Sequence, residues 1–157
     1  MDAIDQNILN ILQKNARETV KQMAEECFIS SPSVSVRLQN LENRGFINSY
    51  QAVLNYQKIG FSIKAYIHCA VNAKDKQNFY TFIENVANVT ECDCVTGEYS
   101  MMLKVFFPNT VELDEFINQL QKFGDTKTNI VFSTHIGPRG LQLSEENISL
   151  NKKNHKD

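Results

Sequence analysis

The sequence predicts an α+β chain in two parts: three short helices, then the succession strand, helix, strand, strand, helix, strand. Three observations carry this. Up to Gly45 the apolar residues recur at three- and four-residue steps, the period of a helix with one buried stripe. From Phe61 the period becomes two, as in a strand with one apolar face. That alternation gives way twice to helical spacing, around residues 75–86 and 110–120. A length of 157 residues allows one medium domain or two small ones.

Asp2 to Lys14 opens with an acidic cap region and carries Ile4, Ile8, Ile11 and Leu12 on one stripe. Asn15-Ala16-Arg17-Glu18 breaks the pattern. Thr19 with Gln22 three residues on forms a capping box, and Val20, Met23, Ala24 and Cys27 give the second helix its stripe. Ser31 beside Pro32 marks the third start, because a capping oxygen there precedes a residue with helical φ. Gly45 stands where a left-handed residue closes a helix. Only Phe28-Ile29-Ser30 separates the last two helices. Three helices of which the last two share a short turn make a helix-turn-helix, whose final helix enters a DNA groove.

On a helical wheel Val34, Leu38 and Leu41 of that final helix point one way, while Pro32, Val36, Gln39, Asn40 and Asn43 point the other. The outward side is uncharged, small and amide-rich. It suits the major groove, where amides pair with adenine edges and an apolar side chain meets a thymine methyl. The same residues also fit an ordinary solvated helix. Ser31, Ser33 and Ser35 at its start and Arg37 on its flank complete the candidate DNA-binding set. Arg37 is placed to hold phosphate or to pair within the domain, with Glu25 or Glu26.

Phe46 to Leu54 contains an Asn48-Ser49 turn signal between β-leaning runs, which predicts a small wing or a strand leading away. Asn55 to Gly60 reads as a hinge. Beyond it, Phe61 to Val71 alternates as a strand. Phe79, Phe82, Ile83 and Val86 mark a helix, and Val89 to Thr96 is a second strand. Gly97-Glu98-Tyr99 is a turn, Ser100 to Phe107 a third strand, and Thr128 to Ile136 the last; between them Val111, Leu113, Phe116, Ile117 and Leu120 form a helical stripe. This is the split βαβ or ferredoxin-like order. Right-handed crossovers put both helices on one face of the sheet. The other face then exposes Tyr66, Met102, Phe106 and Val131 among Lys64, His68, Glu91, Asp93, Lys104 and His135, more apolar surface than a monomer tolerates. A second copy, paired about a two-fold axis, is the expected cover.

The predicted divisions are therefore residues 1–54 for the helix-turn-helix domain, 55–60 for the hinge, 61–137 for the ferredoxin-like oligomerisation domain, and 138–157 for a C-terminal tail whose end, Asn151 to Asp157, has no apolar residue and is expected to be mobile. Net charge is -2 with a pI near 5.9, so any attraction to nucleic acid must be local or multiplied by oligomerisation. No apolar run reaches the ~18 residues of a membrane span, and no signal peptide opens the chain, so the cytoplasm is the expected compartment. The cysteines Cys27, Cys69, Cys92 and Cys94 are expected as free thiols. Cys92 and Cys94 with His68 or His135 lack a second close ligand pair, so no metal site is expected. No catalytic constellation, P-loop or dinucleotide fingerprint is present.

The chain resembles the leucine-responsive regulator and AsnC group, the feast/famine transcription regulators, from Asp2 to about Ile136. The matching pieces are Ile4-Asp5 with Ile8-Leu9 and Leu12, Asn15-Ala16-Arg17, Met23-Ala24, Ile29-Ser30, Ser33-Val34, Arg37-Leu38, Leu41-Glu42, Gly45-Phe46-Ile47, Ile59-Gly60 and Val95-Thr96-Gly97-Glu98-Tyr99-Ser100. The resemblance implies a helix-turn-helix domain, a ferredoxin-like effector domain, dimers that often assemble into octamers, and control by small ligands, commonly amino acids. It needs no cofactor beyond that effector. It places the effector at Thr96, Gly97, Glu98, Tyr99 and Ser100. There Gly97 would let backbone amides approach a carboxylate, and Glu98 or Ser100 would take an ammonium group. The same glycine also suits a plain hairpin turn. Two departures stand out: many members have aspartate where Ser100 stands, and lysine or arginine where Gln39 and Asn40 stand. Two further readings share the architecture, a sirohaem-decarboxylase-like enzyme and a ligand sensor without DNA binding.

Overall fold

The structure is a computed structural model that describes residues 1–144. It has two compact units, Met1–Val53 with the described residues from Ile136 on, and Leu54–His135.

The first unit contains α1 (Ala3–Lys14), α2 (Val20–Cys27) and α3 (Ser31–Asn43). Asp2 and Asp5 form a capping box at α1, as Thr19 and Gln22 do at α2. Ile8, Met23, Val34 and Leu41 are fully buried where the three stripes meet. Burying each such side chain contributes about 1.5–3 kcal/mol, which helices this short need in order to persist. α3 ends in a Schellman motif: Gly45 (φ 69°) donates to Glu42 O, and Phe46 N donates to Leu41 O at 2.9 Å.

Two expectations for this unit are corrected. The cap of α3 is Ser30, not Ser31, because its Oγ accepts from Ser33 N and Pro32 falls one position further in. Residues 46–54 form no wing or strand. No second strand lies beside them to take up their backbone groups, and Tyr50 is instead tied to α3, donating from its hydroxyl to Glu42 Oε1 at 2.8 Å. The chain after Gly137 is docked on α1 where it is described. Asn10 is buried on α1, and its amide grips the backbone of Leu143 from both sides, Nδ2 donating to the carbonyl (2.9 Å) and Oδ1 accepting from the N–H (2.8 Å). Gln13 Nε2 donates to Leu141 O at 3.0 Å. The lysine-bearing segment from Asn151 to Asp157 lies outside the described residues.

The second unit has β1 (Ile63–Cys69), α4 (Lys76–Glu84), β2 (Val89–Cys94), β3 (Met101–Phe107), α5 (Thr110–Leu120) and β4 (Thr126–Ile130). Its sheet is antiparallel throughout, in the order β2-β3-β1-β4, the ferredoxin-like arrangement. Ala65, Ile67 and Cys69 of β1 and Met101, Leu103, Val105 and Phe107 of β3 are buried with Phe79, Phe116 and Leu120 of the helices. Burial pushes the Cys69 thiol up to about 11. All four cysteines are free, Cys92 and Cys94 on an exposed edge strand.

The strand ends differ from the sequence reading. β2 stops at Cys94 and carries a bulge at Thr90, whose hydroxyl donates to Lys104 O. β4 spans Thr126–Ile130, starting two residues and ending six residues earlier than expected: it pairs with β1 from Cys69 back to Ala65, Val131 N then reaches Lys64 O, and β1 itself begins only at Ile63. Asn55–Gly60 has local structure of its own. Tyr56–Ile59 is a 3₁₀ turn capped by Asn55, and Tyr56 stacks on Phe106 at 4.1 Å between ring centroids.

Candidate nucleic-acid interface and effector turn

α3 is held by a narrow stripe: only Val34 and Leu41 are fully buried, with Leu38 partly so. The rest of the helix is therefore open. Pro32, Ser33, Ser35, Val36, Gln39, Asn40 and Asn43 are exposed, and Ser31 is half-buried. Ser33 Oγ lies 2.8 Å from Ser30 Oγ, and Ser35 Oγ donates to Ser31 O, so these hydroxyls serve the helix start as well as facing outward. Among the described residues the side-chain amides of Gln39, Asn40 and Asn43 meet no hydrogen-bond partner. Pro32, Ser33, Val36, Asn40 and Arg44 line a groove of about 760 Å³ along this side. Val36 is 60% exposed in it. Such a surface offers paired donors and acceptors and one apolar contact, the groups that discriminate base edges.

Arg37 behaves differently from its expected role. Its Nη1 lies 2.8 Å from Asp2 Oδ2 and 2.6 Å from Asp5 Oδ1, so it pairs with the α1 capping box and not with Glu25 or Glu26. The hydrogen bonds to Asp2 and Asp5 hold the guanidinium above its ordinary pKa. The Asp5 amide and Arg37 together hold the Asp2 carboxyl below its own. Arg37 thereby fastens α3 to α1, and its charge is balanced before any phosphate approaches. Arg44 is the basic residue left at the groove, its guanidinium 4.8 Å from the Phe46 ring centroid. The sequence reading left Arg44 out of the site, although it stands four residues after Asn40 on the same side.

The effector turn joins β2 to β3. Val95 N donates to Ser100 O at 2.9 Å and closes a loop of Thr96, Gly97, Glu98 and Tyr99. Gly97 has φ +116°, which a side chain would strain although no atom lies within 4 Å of the Cβ position. None of the four loop amides finds a hydrogen-bond partner among the described residues. Tyr99 sets its ring edge-on to His68, 6.0 Å away. Ser100 already has backbone partners. Its hydroxyl accepts from Val71 N and donates to Val71 O, both at 3.1 Å, so it staples the start of β3 to the chain leaving β1.

The sheet face away from the helices carries Lys64, Tyr66 and His68 of β1 beside Met102, Lys104 and Phe106 of β3. Lys104 pairs with Glu91 at 2.7 Å, and Lys64 lies 5.5 Å from the Tyr66 ring centroid. Among the described residues no cluster of three or more His, Cys, Asp or Glu could hold a metal ion, and no helix is long and apolar enough to cross a membrane.

Two family profiles match the chain: "Winged helix-turn-helix DNA-binding" over residues 1–48 and "Lrp/AsnC ligand binding domain" over residues 64–141. The HTH-type transcriptional regulator LrpA of Bacillus subtilis is 33% identical over 132 residues, which cover 83% of this chain and 97% of that protein. Among solved structures, B. subtilis LrpC superimposes with a TM-score of 0.83 at 27% identity, covering 88% of this chain and 99% of the other. The regulator NMB0573 of Neisseria meningitidis, solved as a complex with L-methionine, gives a TM-score of 0.84 at 24% identity, with 94% and 99% covered.

Proposed function

Because the chain belongs to the Lrp/AsnC family of transcriptional regulators, we propose that it binds A·T-rich duplex DNA as paired copies and answers to a free amino acid. It is a DNA-binding regulator and not an enzyme; its relatives carry regulators' names. The observation that carries the DNA reading is the outward side of α3, where the amides of Gln39, Asn40 and Asn43 flank Val36 without partners of their own. Amides pair with adenine and a branched methyl group meets thymine, so A·T pairs are preferred over G·C. Pro32 and the serines at 31, 33 and 35 bring the amino end of α3 to the phosphates.

A second copy packs on the open sheet face, where Tyr66, Met102 and Phe106 lie between paired charges. That places two α3 helices under one symmetry axis and spaces their half-sites by about one helical turn, ~34 Å, or a multiple of it. The amino acid is taken at Thr96–Tyr99, its carboxylate by the unpartnered amides around Gly97 and its ammonium by Glu98. Supporting this, the Neisseria regulator was solved with L-methionine, and among the described residues the rings of Tyr99 and His68 meet beside the turn and wall one side of it. A neighbouring copy would supply the rest. The setting is the cytoplasm.

Selection of bound fragments from genomic DNA, repeated with pooled amino acids, tests the reading as a whole. The expected result is A·T-rich protected half-sites whose recovery changes when one amino acid is present, and loss of selectivity with Asn40→Ala. Recovery of G·C-rich sites, or selectivity untouched by Asn40→Ala, overturns it.

A further inference from the structure

We infer that Phe28, the residue at the bend between α2 and α3, is itself a DNA-contacting residue, its ring lying against deoxyribose or a thymine methyl at the edge of the groove. The inference rests on α3 being the DNA-reading helix and adds a contact that α3 does not contain.

The bend is built like the end of α3. Phe28 N donates to Glu25 O at 3.3 Å and Ile29 N to Ala24 O at 3.0 Å, which closes α2 with a left-handed residue. That residue is Phe28, with φ 55° and ψ 41°, the only non-glycine residue of positive φ among those described. Glycine fills the corresponding place after α3. A side chain in this conformation crowds its Cβ against the next carbonyl, and such strain persists where something else compensates for it. Packing does not compensate here. Phe28 is 94% exposed, whereas its neighbours Cys27 and Ile29 belong to the helical core. A strained backbone and a fully wetted ring at one position both weigh against folding, so the offset must come from a bound state.

Its location says which one. Phe28 stands two residues before the cap of α3 and shares a groove of about 620 Å³ with Lys21, Ser30 and Ser31. In a helix-turn-helix the amino end of the second helix meets base edges and the first helix crosses the backbone. A residue between them therefore meets the sugar-phosphate rim. The groove has the matching chemistry: the Lys21 ammonium and the amino end of α3 for phosphate, and the ring for the sugar or methyl. Glu25 also lines it, 4.0 Å from Lys21; this exposed pair opens readily when a phosphate competes for the lysine.

The test compares Phe28→Gly, Phe28→Asn and Phe28→Tyr in the full chain. Glycine and asparagine both accept the left-handed conformation. Unfolding midpoints are measured together with affinity for duplexes that the wild-type chain enriches from a random-sequence pool. Phe28→Gly is expected to raise the midpoint by about 2–4 °C and to weaken DNA binding about tenfold, the low end of what an aromatic contact with nucleic acid is worth. Phe28→Asn weakens binding similarly and Phe28→Tyr keeps it. The salt dependence stays unchanged, because no phosphate contact is lost. Equal affinity for wild type and Phe28→Gly overturns the inference. A lower midpoint, or a changed molecular mass without DNA, also overturns it, since the ring would then pack against protein. If the wild-type chain enriches no sequence, the α3 reading fails, and the same comparison on a fixed mixed-sequence duplex still decides Phe28.

Discussion

Removing the Ser100 hydroxyl separates a structural role from a ligand-binding one at the effector turn. In the structure that hydroxyl makes two 3.1 Å hydrogen bonds to the backbone of buried Val71, one accepted and one donated. Each is worth about 1 kcal/mol net. Ser100→Ala also leaves an amide and a carbonyl at Val71 short of partners, and since Ser100 is only half-buried, water restores part of the loss. The expected destabilisation is about 2–3 kcal/mol, a fall of ~5–10 °C in unfolding midpoint for a chain this size. Ser100→Asp should destabilise too, because a carboxylate accepts from Val71 N but cannot donate to Val71 O. Ser100→Thr should be tolerated. The assay is urea unfolding with an unchanged m-value, beside calorimetric titration of the effector. Stability within ~0.5 kcal/mol of wild type in Ser100→Ala, together with lost effector affinity, would show that the hydroxyl belongs to the ligand and refute the staple.

Four further outcomes follow from other contacts. Arg37→Met should cost about 1–2 kcal/mol, between exposed and buried ion pairs, yet leave the salt slope of DNA binding unchanged, because Asp2 and Asp5 already balance that charge. The Asp2 carboxyl is held low in the folded state, so its contribution is present above the usual carboxylate range and lost as pH falls through the lowered value; an acid titration of wild type against Arg37→Met should show this difference beginning to shrink at about pH 4 and closing at more acid pH. Burial, and then the bond to Glu42, pushes the Tyr50 hydroxyl up to about 12. Its contribution is complete below the unfolded value of ~10 and lost as pH rises through 12, a step that an alkaline melt of Tyr50→Phe should lack. Asn10→Ala should free the Leu143 amide to exchange hydrogen with solvent while the α1 amides stay protected.

The helices were legible because their signals are local. Capping boxes, the Pro32 start and the Gly45 stop act within one turn, and the structure keeps each within a residue. The strand centres were legible by alternation, and the helix-facing residues of β3 are the ones expected. What the sequence hid depends on distant partners. The end of β4 is set by how far β1 extends, the role of Ser100 by Val71, and the docking of Leu143 by Asn10, 133 residues away. Arg37 was ambiguous for the same reason: Glu25 and Glu26 on α2 were as available in sequence as the Asp2–Asp5 pair. Phe28 was hidden differently. A lone apolar residue between two helices reads as core until its backbone angle and exposure are known.

The charge balance of α3 bears on how such a chain would control transcription. With Arg37 neutralised by α1, Arg44 at the end of α3 is, among the described residues, the cation left at the groove, and each phosphate neutralised contributes only ~0.9 to the salt slope. A single helix-turn-helix unit of this composition, on a chain with net charge -2, gains little from electrostatics and would hold DNA weakly. Linked copies convert the later contacts into intramolecular ones and raise affinity by 10²–10⁴ without any new residue at the DNA. Under the proposed reading, an effector bound where copies meet therefore needs no path through the protein to α3. By changing how many copies are joined it changes the affinity of all of them. The measurable consequence is that effector should shift the steepness of DNA binding with protein concentration, while the footprint at each half-site stays the same.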